Sequence, residues 1–214
     1  MKITSNTIAD LSMKIKKNEN HWALLLSLVV WVSCSSKELK PSDYLRYYAE
    51  NAVRKLSDQK ASDSMRMVLT YQPLNLLVIN DLGTGMTQSQ YEESKSHFSE
   101  HLYFTFDVGS STPLSKETGK ALRDYFAHDR QRQFVLISHQ DTIPCRLYQP
   151  ELVSRGDKQV RVNLVFPRPV VAGQPSDAPL DEDLYVRFYD DKTHQPFSFL
   201  IKKDNVNQLP KIKI

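Results

Sequence analysis

The chain has 214 residues, 40% of them hydrophobic and 25% charged, with 28 basic against 25 acidic side chains, 11 prolines and two cysteines. A nucleic-acid binder displays a clustered basic surface. Here the net charge of +3 is interspersed along the chain as on a solvated face, which removes the electrostatic case for nucleic acid.

In chain order, Lys14, Lys16 and Lys17 precede the apolar run Trp22-Ala-Leu-Leu-Leu-Ser-Leu-Val-Val-Trp-Val-Ser33, which stops at Cys34. A basic leader, a short apolar core and small residues at its end make a secretory signal. The run is shorter than the roughly 20 residues of a spanning helix. Because it ends on Cys34, the segment over residues 13–37 resembles a bacterial lipoprotein signal. Val32-Ser33-Cys34 fits the lipobox of that class, while Trp31 stands where the class prefers Leu, Val or Ile. Met13 is an alternative start, since Met13-Lys-Ile-Lys-Lys forms a compact basic leader.

The resemblance implies that residues 1–33 are a signal peptide, that the chain is cut before Cys34, and that the Cys34 thiol carries a diacylglycerol. Residues 34–41 then form a lipidated tether, and residues 42–214 a single domain. Loss of Lys2, Lys14, Lys16 and Lys17 with Asp10 and Glu19 brings the net charge from +3 to +1. Ser35 is not the Asp that signals inner-membrane retention in enteric-type lipoproteins, so the resemblance implies the outer membrane. Bacteroidota-type surface lipoproteins carry an acidic cluster after the Cys. Ser35-Ser-Lys-Glu-Leu-Lys40 holds one acid among two lysines, so the domain is expected to face the periplasm. With Cys34 lipidated, Cys145 has no partner for a disulfide. Ile143, Cys145 and Leu147 alternate as one face of a strand, which reads Cys145 as a small buried apolar residue.

Beyond the tether, Leu45, Tyr48, Ala49, Ala52, Val53 and Leu56 recur at helical spacing behind Pro41-Ser42, predicting an amphipathic helix over 43–56. Met65, Met67, Leu69 and Tyr71 alternate as a strand. The apolar stretch from Leu74 to Ile79 fits helix or strand. Thr87-Gln-Ser-Gln90 reads as a capping box, with Met86 placed to staple against Tyr91, so a helix runs to about Glu100. Leu102, Phe104, Phe106 and Val108 predict a half-buried strand. Ser115 caps a helix over 116–128 with Ala121, Leu122, Tyr125 and Phe126 inward. Strands follow at 133–138, 143–148, 159–166, 183–189 and 196–202. Short connections such as Arg155-Gly156-Asp157-Lys158 and Asp190-Asp191-Lys192-Thr193 require antiparallel pairing. The stretch from Pro167 to Pro179 holds four of the 11 prolines. It reads as an edge cover, a crossover between two sheets or a contact loop.

Three patterns suggest chemistry. His97-Phe-Ser-Glu100-His101 resembles the His-x-x-Glu-His signature of inverted zinc metallopeptidases, in which two His one helical turn apart hold zinc and the Glu is general base. A third ligand is not recognisable, and His101 abuts the strand beginning at Leu102. Asp81-Leu-Gly-Thr-Gly85 looks like the first phosphate loop of the actin and sugar-kinase superfamily. That fold needs a much larger two-lobed body and a second phosphate loop, so the segment reads as a Gly-rich turn. Ser138-His-Gln-Asp141 supplies three residue types of a hydrolase triad, but adjacency in sequence does not make triad geometry, and loop polarity explains it.

The reading is therefore an α+β domain, with N-terminal helices packed on an antiparallel sheet or small β-sandwich formed mainly by the C-terminal half. The one site residue that the resemblance implies is Cys34, for lipidation; no catalytic residue, metal or cofactor is expected. The expected function is non-enzymatic binding or scaffolding of another envelope protein or a surface ligand from a lipid anchor in the cell envelope. The alternative is a small zinc-dependent hydrolase using His97, Glu100 and His101.

Overall fold

The computed structural model describes residues 37–62, 65–110, 115–139, 141–151, 158–169, 173 and 175–214. The expected signal peptide, Cys34 and most of the turn at Arg155 to Lys158 lie outside the described residues. A compact unit runs from Glu38 to Ile214. Its two ends are tied together by a parallel pair, β1 (Glu38–Leu39) with β11 (Lys211–Ile212).

The first helix, α1 (Pro41–Tyr47), passes directly into a π-helical turn, Tyr48–Ala52. The wider turn changes which residues face inward. Tyr44, Ala52 and Leu56 are buried at multiples of four, while Leu45 is only half-buried and Ala49 exposed. An α-helical stripe would drift off that spacing, whereas a π turn holds it. Strand β2 (Ser57–Ser62) follows, then β3 (Met65–Gln72). Next comes α2 (Leu74–Leu82), ended by Gly83, whose φ of 79° suits a residue without Cβ. The capping box at Thr87 forms as its sequence indicates and starts α3 (Gln88–Ser99), with Met86 and Tyr91 in one apolar cluster.

Strand β4 (His101–Ser110) leads to α4 (Lys116–Ala127), where Ser115 Oγ accepts from the Thr118 N–H at 3.1 Å. Leu122, Tyr125 and Phe126 are buried there as expected, but Ala121 is exposed. The remaining strands are β5 (Phe134–Ser138), β6 (Asp141–Pro144), β7 (Leu147–Glu151), β8 (Lys158–Pro167), β9 (Leu184–Asp190) and β10 (Gln195–Ile201). A short α5 (Lys203–Asn207) precedes β11.

Two antiparallel sheets result, ordered β2-β3-β4-β8-β7 and β10-β9-β5-β6. Their inner faces meet in one core. The Phe106 ring on β4 lies 5.2 Å from Phe134, 5.5 Å from Phe188 and 5.7 Å from Phe199, all on the opposite sheet. This mixed α+β architecture corrects the expected division into helices first and sheet second. Three strands of the larger sheet, β2, β3 and β4, come from the first half. Strand β2 reads Ser-Asp-Gln-Lys-Ala-Ser, without apolar alternation; it stands at the sheet edge, where polar and charged side chains keep a further strand from adding.

A second correction concerns the strand expected over 143–148. It is two strands in different sheets: the Cys145 N–H donates to Phe134 O at 3.3 Å and the Arg146 N–H to Val165 O at 2.7 Å, so the chain changes sheet between these residues. Cys145 is buried at this corner, with Sγ 3.0 Å from Leu147 O, and burial pushes its thiol pKa up to about 11.

Candidate functional site

Of the alternatives for the Pro-rich stretch, the structure shows the crossover between sheets, joining β8 to β9. Its described residues are tied down at successive points. Ser176 Oγ is 2.9 Å from Ser99 Oγ, Asp177 pairs with Lys95 at 2.7 Å, and Ala178 O accepts from Arg168 Nη2. Asn207 bonds both main-chain groups of Leu180 through its side-chain amide, at 2.9 and 2.7 Å. The hydrogen bond from Lys95, more than its charge, holds the Asp177 carboxyl below the usual carboxylate range.

The anchored crossover separates two depressions. One, of about 450 Å³, is walled by Glu100, His101, Ser138, Arg146, Arg168 and Glu182, with prolines of the crossover between them. The other, a broader groove of about 690 Å³, runs along Tyr44, Tyr71, Tyr91 and Lys95 to Lys211 and Ile212 of the terminal strand pair. Arg168 lines both. It is placed there because its N–H continues the β4–β8 ladder one step past Pro167, donating to Glu100 O at 2.9 Å.

Inside the broader groove the polar groups serve the wall. The Tyr91 hydroxyl donates to Asn75 Oδ1 at 2.8 Å, and Asn75 Nδ2 donates to Pro210 O at 3.4 Å. The Tyr44 hydroxyl is fully buried beside the Asn75 side chain, and burial, more than that neighbour, sets its pKa, which is raised.

Of the residues singled out by sequence, Cys34 lies outside the described residues. His97, Glu100 and His101 do not share a helical face. Helix α3 stops at Ser99, Glu100 is its C-cap, and His101 is the first residue of β4, its ring 6.3 Å from that of Tyr103. His97 and Glu100 are exposed. Among the described residues no group of three or more His, Cys, Asp or Glu is arranged to hold a metal ion. Asp81 and Leu82 end helix α2, with Ser94 Oγ donating to Asp81 Oδ2 at 2.9 Å, so the Gly-rich segment follows a helix rather than the strand of a phosphate loop.

Ser138 and His139 sit at the tip of the β5–β6 hairpin, where Ser138 pairs with Asp141 and His139 takes a φ of 53°. Such a φ is what the first central residue of a two-residue hairpin requires. The residue that joins them is Glu182, which sequence reasoning missed. Its Oε1 accepts from Ser138 Oγ and from the His139 N–H and lies 2.6 Å from His139 Nδ1, while Asp181 is 3.5 Å from Nε2. The serine hydroxyl thus donates to a carboxylate and stands 3.4 Å from the imidazole. In a triad the serine would donate to the His and the His to the acid. Here one carboxylate clamps a strained turn to the start of β9. No local signal in the sequence announces this pairing, because Glu182 is 44 residues from Ser138.

No family model matches this chain, and no curated protein does. Among solved structures it is similar to a novel protein of unknown function from Burkholderia pseudomallei K96243, at 10% sequence identity and a TM-score of 0.38, over 80% of this chain and 94% of that one.

Proposed function

We infer that this chain is a lipid-anchored protein of the bacterial cell envelope whose domain binds another envelope protein or a surface ligand. The observation that carries the reading is Cys34, which closes a basic-then-apolar run and stands four residues before the first strand, at Glu38. Four residues of extended chain reach at most about 14 Å. A lipid on Cys34 would therefore keep the β1–β11 pair, and the Lys211–Ile212 end of the 690 Å³ groove, close to the headgroups.

Support for binding rather than chemistry comes from how the polar side chains are used. Glu182, Asn207, Arg168 and the Lys95–Asp177 pair hold the walls of two preformed depressions in place, as a receptor surface requires. The placement follows the residues after Cys34: outer membrane, periplasmic side, with no nucleic acid among the partners.

The test is Cys34→Ala in the native host. The variant loses incorporation of a labelled fatty acid and keeps its leader, because two or three acyl chains at about 0.8 kcal/mol per buried CH₂ are what fix such a protein to a membrane. A variant cut and membrane-bound like the wild type overturns the reading. Affinity purification of the lipidated protein from its own envelope then identifies what it holds.

A further inference from the structure

The outward face of an antiparallel sheet that covers a core is ordinarily polar. The four-stranded sheet departs from this. While Phe134, Leu136, Val186, Phe188 and Phe199 point into the core, the alternate positions Val135, Ile137, Tyr185, Tyr189 and Leu200 point out. Tyr185 and Tyr189 are 43% and 44% exposed. Pairing sets Tyr185 between Ile137 and Leu200, Arg187 between Val135 and Ser198, and Tyr189 beside Pro196. Arg187 is the only charge in these rows. Its Nη1 donates to Tyr189 Oη at 3.1 Å and its Nε to Ser198 Oγ at 3.4 Å, and no carboxylate pairs with it among the described residues. The guanidinium carbon lies 5.9 Å from the centre of the Tyr189 ring, over one of its faces. A guanidinium has five N–H groups, so donors remain for a ligand that meets the other face of that ring.

Size and charge select the occupant. Four strands about 4.8 Å apart and five residues long at about 3.4 Å present roughly 300 Å². That is well short of the roughly 800 Å² each side contributes to a stable protein interface, and it matches the size of apolar patches that carry function on monomers. A single cation is too few for a phosphate polymer, whose binding needs a stripe of them. The rows hold no acid, and Asp58, which accepts from the Leu200 N–H at the sheet edge, is already paired with Lys60 at 3.0 Å, so a basic partner finds little to pair with. Two exposed rings on one strand, four residues and about 14 Å apart, with guanidinium N–H groups beside one of them, suit an extended chain that is uncharged and rich in hydroxyls.

We propose that the outer face of the β10-β9-β5-β6 sheet is a carbohydrate-binding platform for an extended, neutral, β-linked pyranose chain. Tyr185 and Tyr189 stack on the C–H faces of two separate sugar rings, and Arg187 with Ser198 donates to hydroxyls between them. The site lies on the sheet surface, apart from the crossover depressions, and does not depend on the lipid anchor.

The experiment is titration calorimetry of the full-length protein in detergent with chitohexaose, cellohexaose and the corresponding monosaccharides. At least one hexamer binds, and its monosaccharide binds at least about ten-fold more weakly, because it covers one ring instead of two. Tyr185→Ala and Tyr189→Ala each weaken the hexamer about ten-fold, while Tyr185→Phe, which keeps the ring, stays within about three-fold. All three variants keep the wild-type melting temperature, as exposed positions should. Two results overturn the proposal: no binding of either hexamer, or binding that Tyr185→Ala and Tyr189→Ala leave unchanged; in the first case, loss of vesicle binding or self-association in the same variants would identify the occupant instead.

Discussion

Replacing Phe106 with Ala tests whether the two sheets form one core. Phe106 is fully buried, and its ring meets four others: Phe126 at 6.0 Å on α4, and Phe134, Phe188 and Phe199 at 5.2, 5.5 and 5.7 Å on the facing sheet. Truncating a buried Phe costs about 3–5 kcal/mol, the spread reflecting how well the site collapses. A side chain wedged between two hydrogen-bonded sheets leaves its surroundings little freedom to close the gap. We therefore expect the upper part of that range, about 4–5 kcal/mol, against a total stability of about 5–15 kcal/mol for a domain. Phe106→Leu keeps most of the volume and costs about 1–2 kcal/mol. Both tryptophans, Trp22 and Trp31, precede Cys34, so urea unfolding of the Glu38–Ile214 unit is followed by circular dichroism. A loss below about 1.5 kcal/mol for Phe106→Ala at unchanged m-value would show that the sheets are not joined through this ring.

Two further outcomes follow from local geometry. Thr87→Ala removes a capping box in which Gln90 N–H donates to Thr87 Oγ1 at 3.4 Å and Thr87 N–H donates to Gln90 Oε1 at 2.9 Å, and should cost about 1 kcal/mol by the same urea assay. The Cys145 thiol is held above its ordinary pKa of 9.0, at about 11, mainly by burial. A folded-state pKa above the unfolded one stabilises the protein fully below the unfolded value, and the contribution is lost as pH rises through the folded value. The stability difference between wild type and Cys145→Ala should thus be flat below pH 9 and shift against the wild type between pH 9 and 11; a flat difference throughout would show that the thiol is not desolvated.

What was legible in the sequence was what neighbours in the chain decide. Thr87 and Gln90 write their own cap, and Leu102, Phe104, Phe106 and Val108 write a strand by alternation. What was hidden depends on partners distant in sequence. Strand β2 is polar because it is an edge, where charged side chains guard the unpaired backbone groups, and its edge position is set by strands far along the chain. The residues after Ile143 continue an apparently single alternation, yet Pro144 and Arg146 flank a corner where the chain leaves one sheet for the other. Of the site, the Pro-rich stretch announced itself, but Glu182, Asn207 and Arg168, which fix its walls and its neighbouring hairpin, carry no local signature. Tyr185 and Tyr189 fall within the strand expected over 183–189, and that they stand together on an exposed face becomes visible only when the sheet order is known.

Intact-mass spectrometry of the protein extracted from its native membrane tests the lipid anchor at Cys34. The predicted species begins at Cys34, carries a diacylglycerol on the thiol and an acyl chain on the amine, and has lost everything before that residue. A chain still containing Trp22 to Ser33 with an unmodified Cys34 would contradict it.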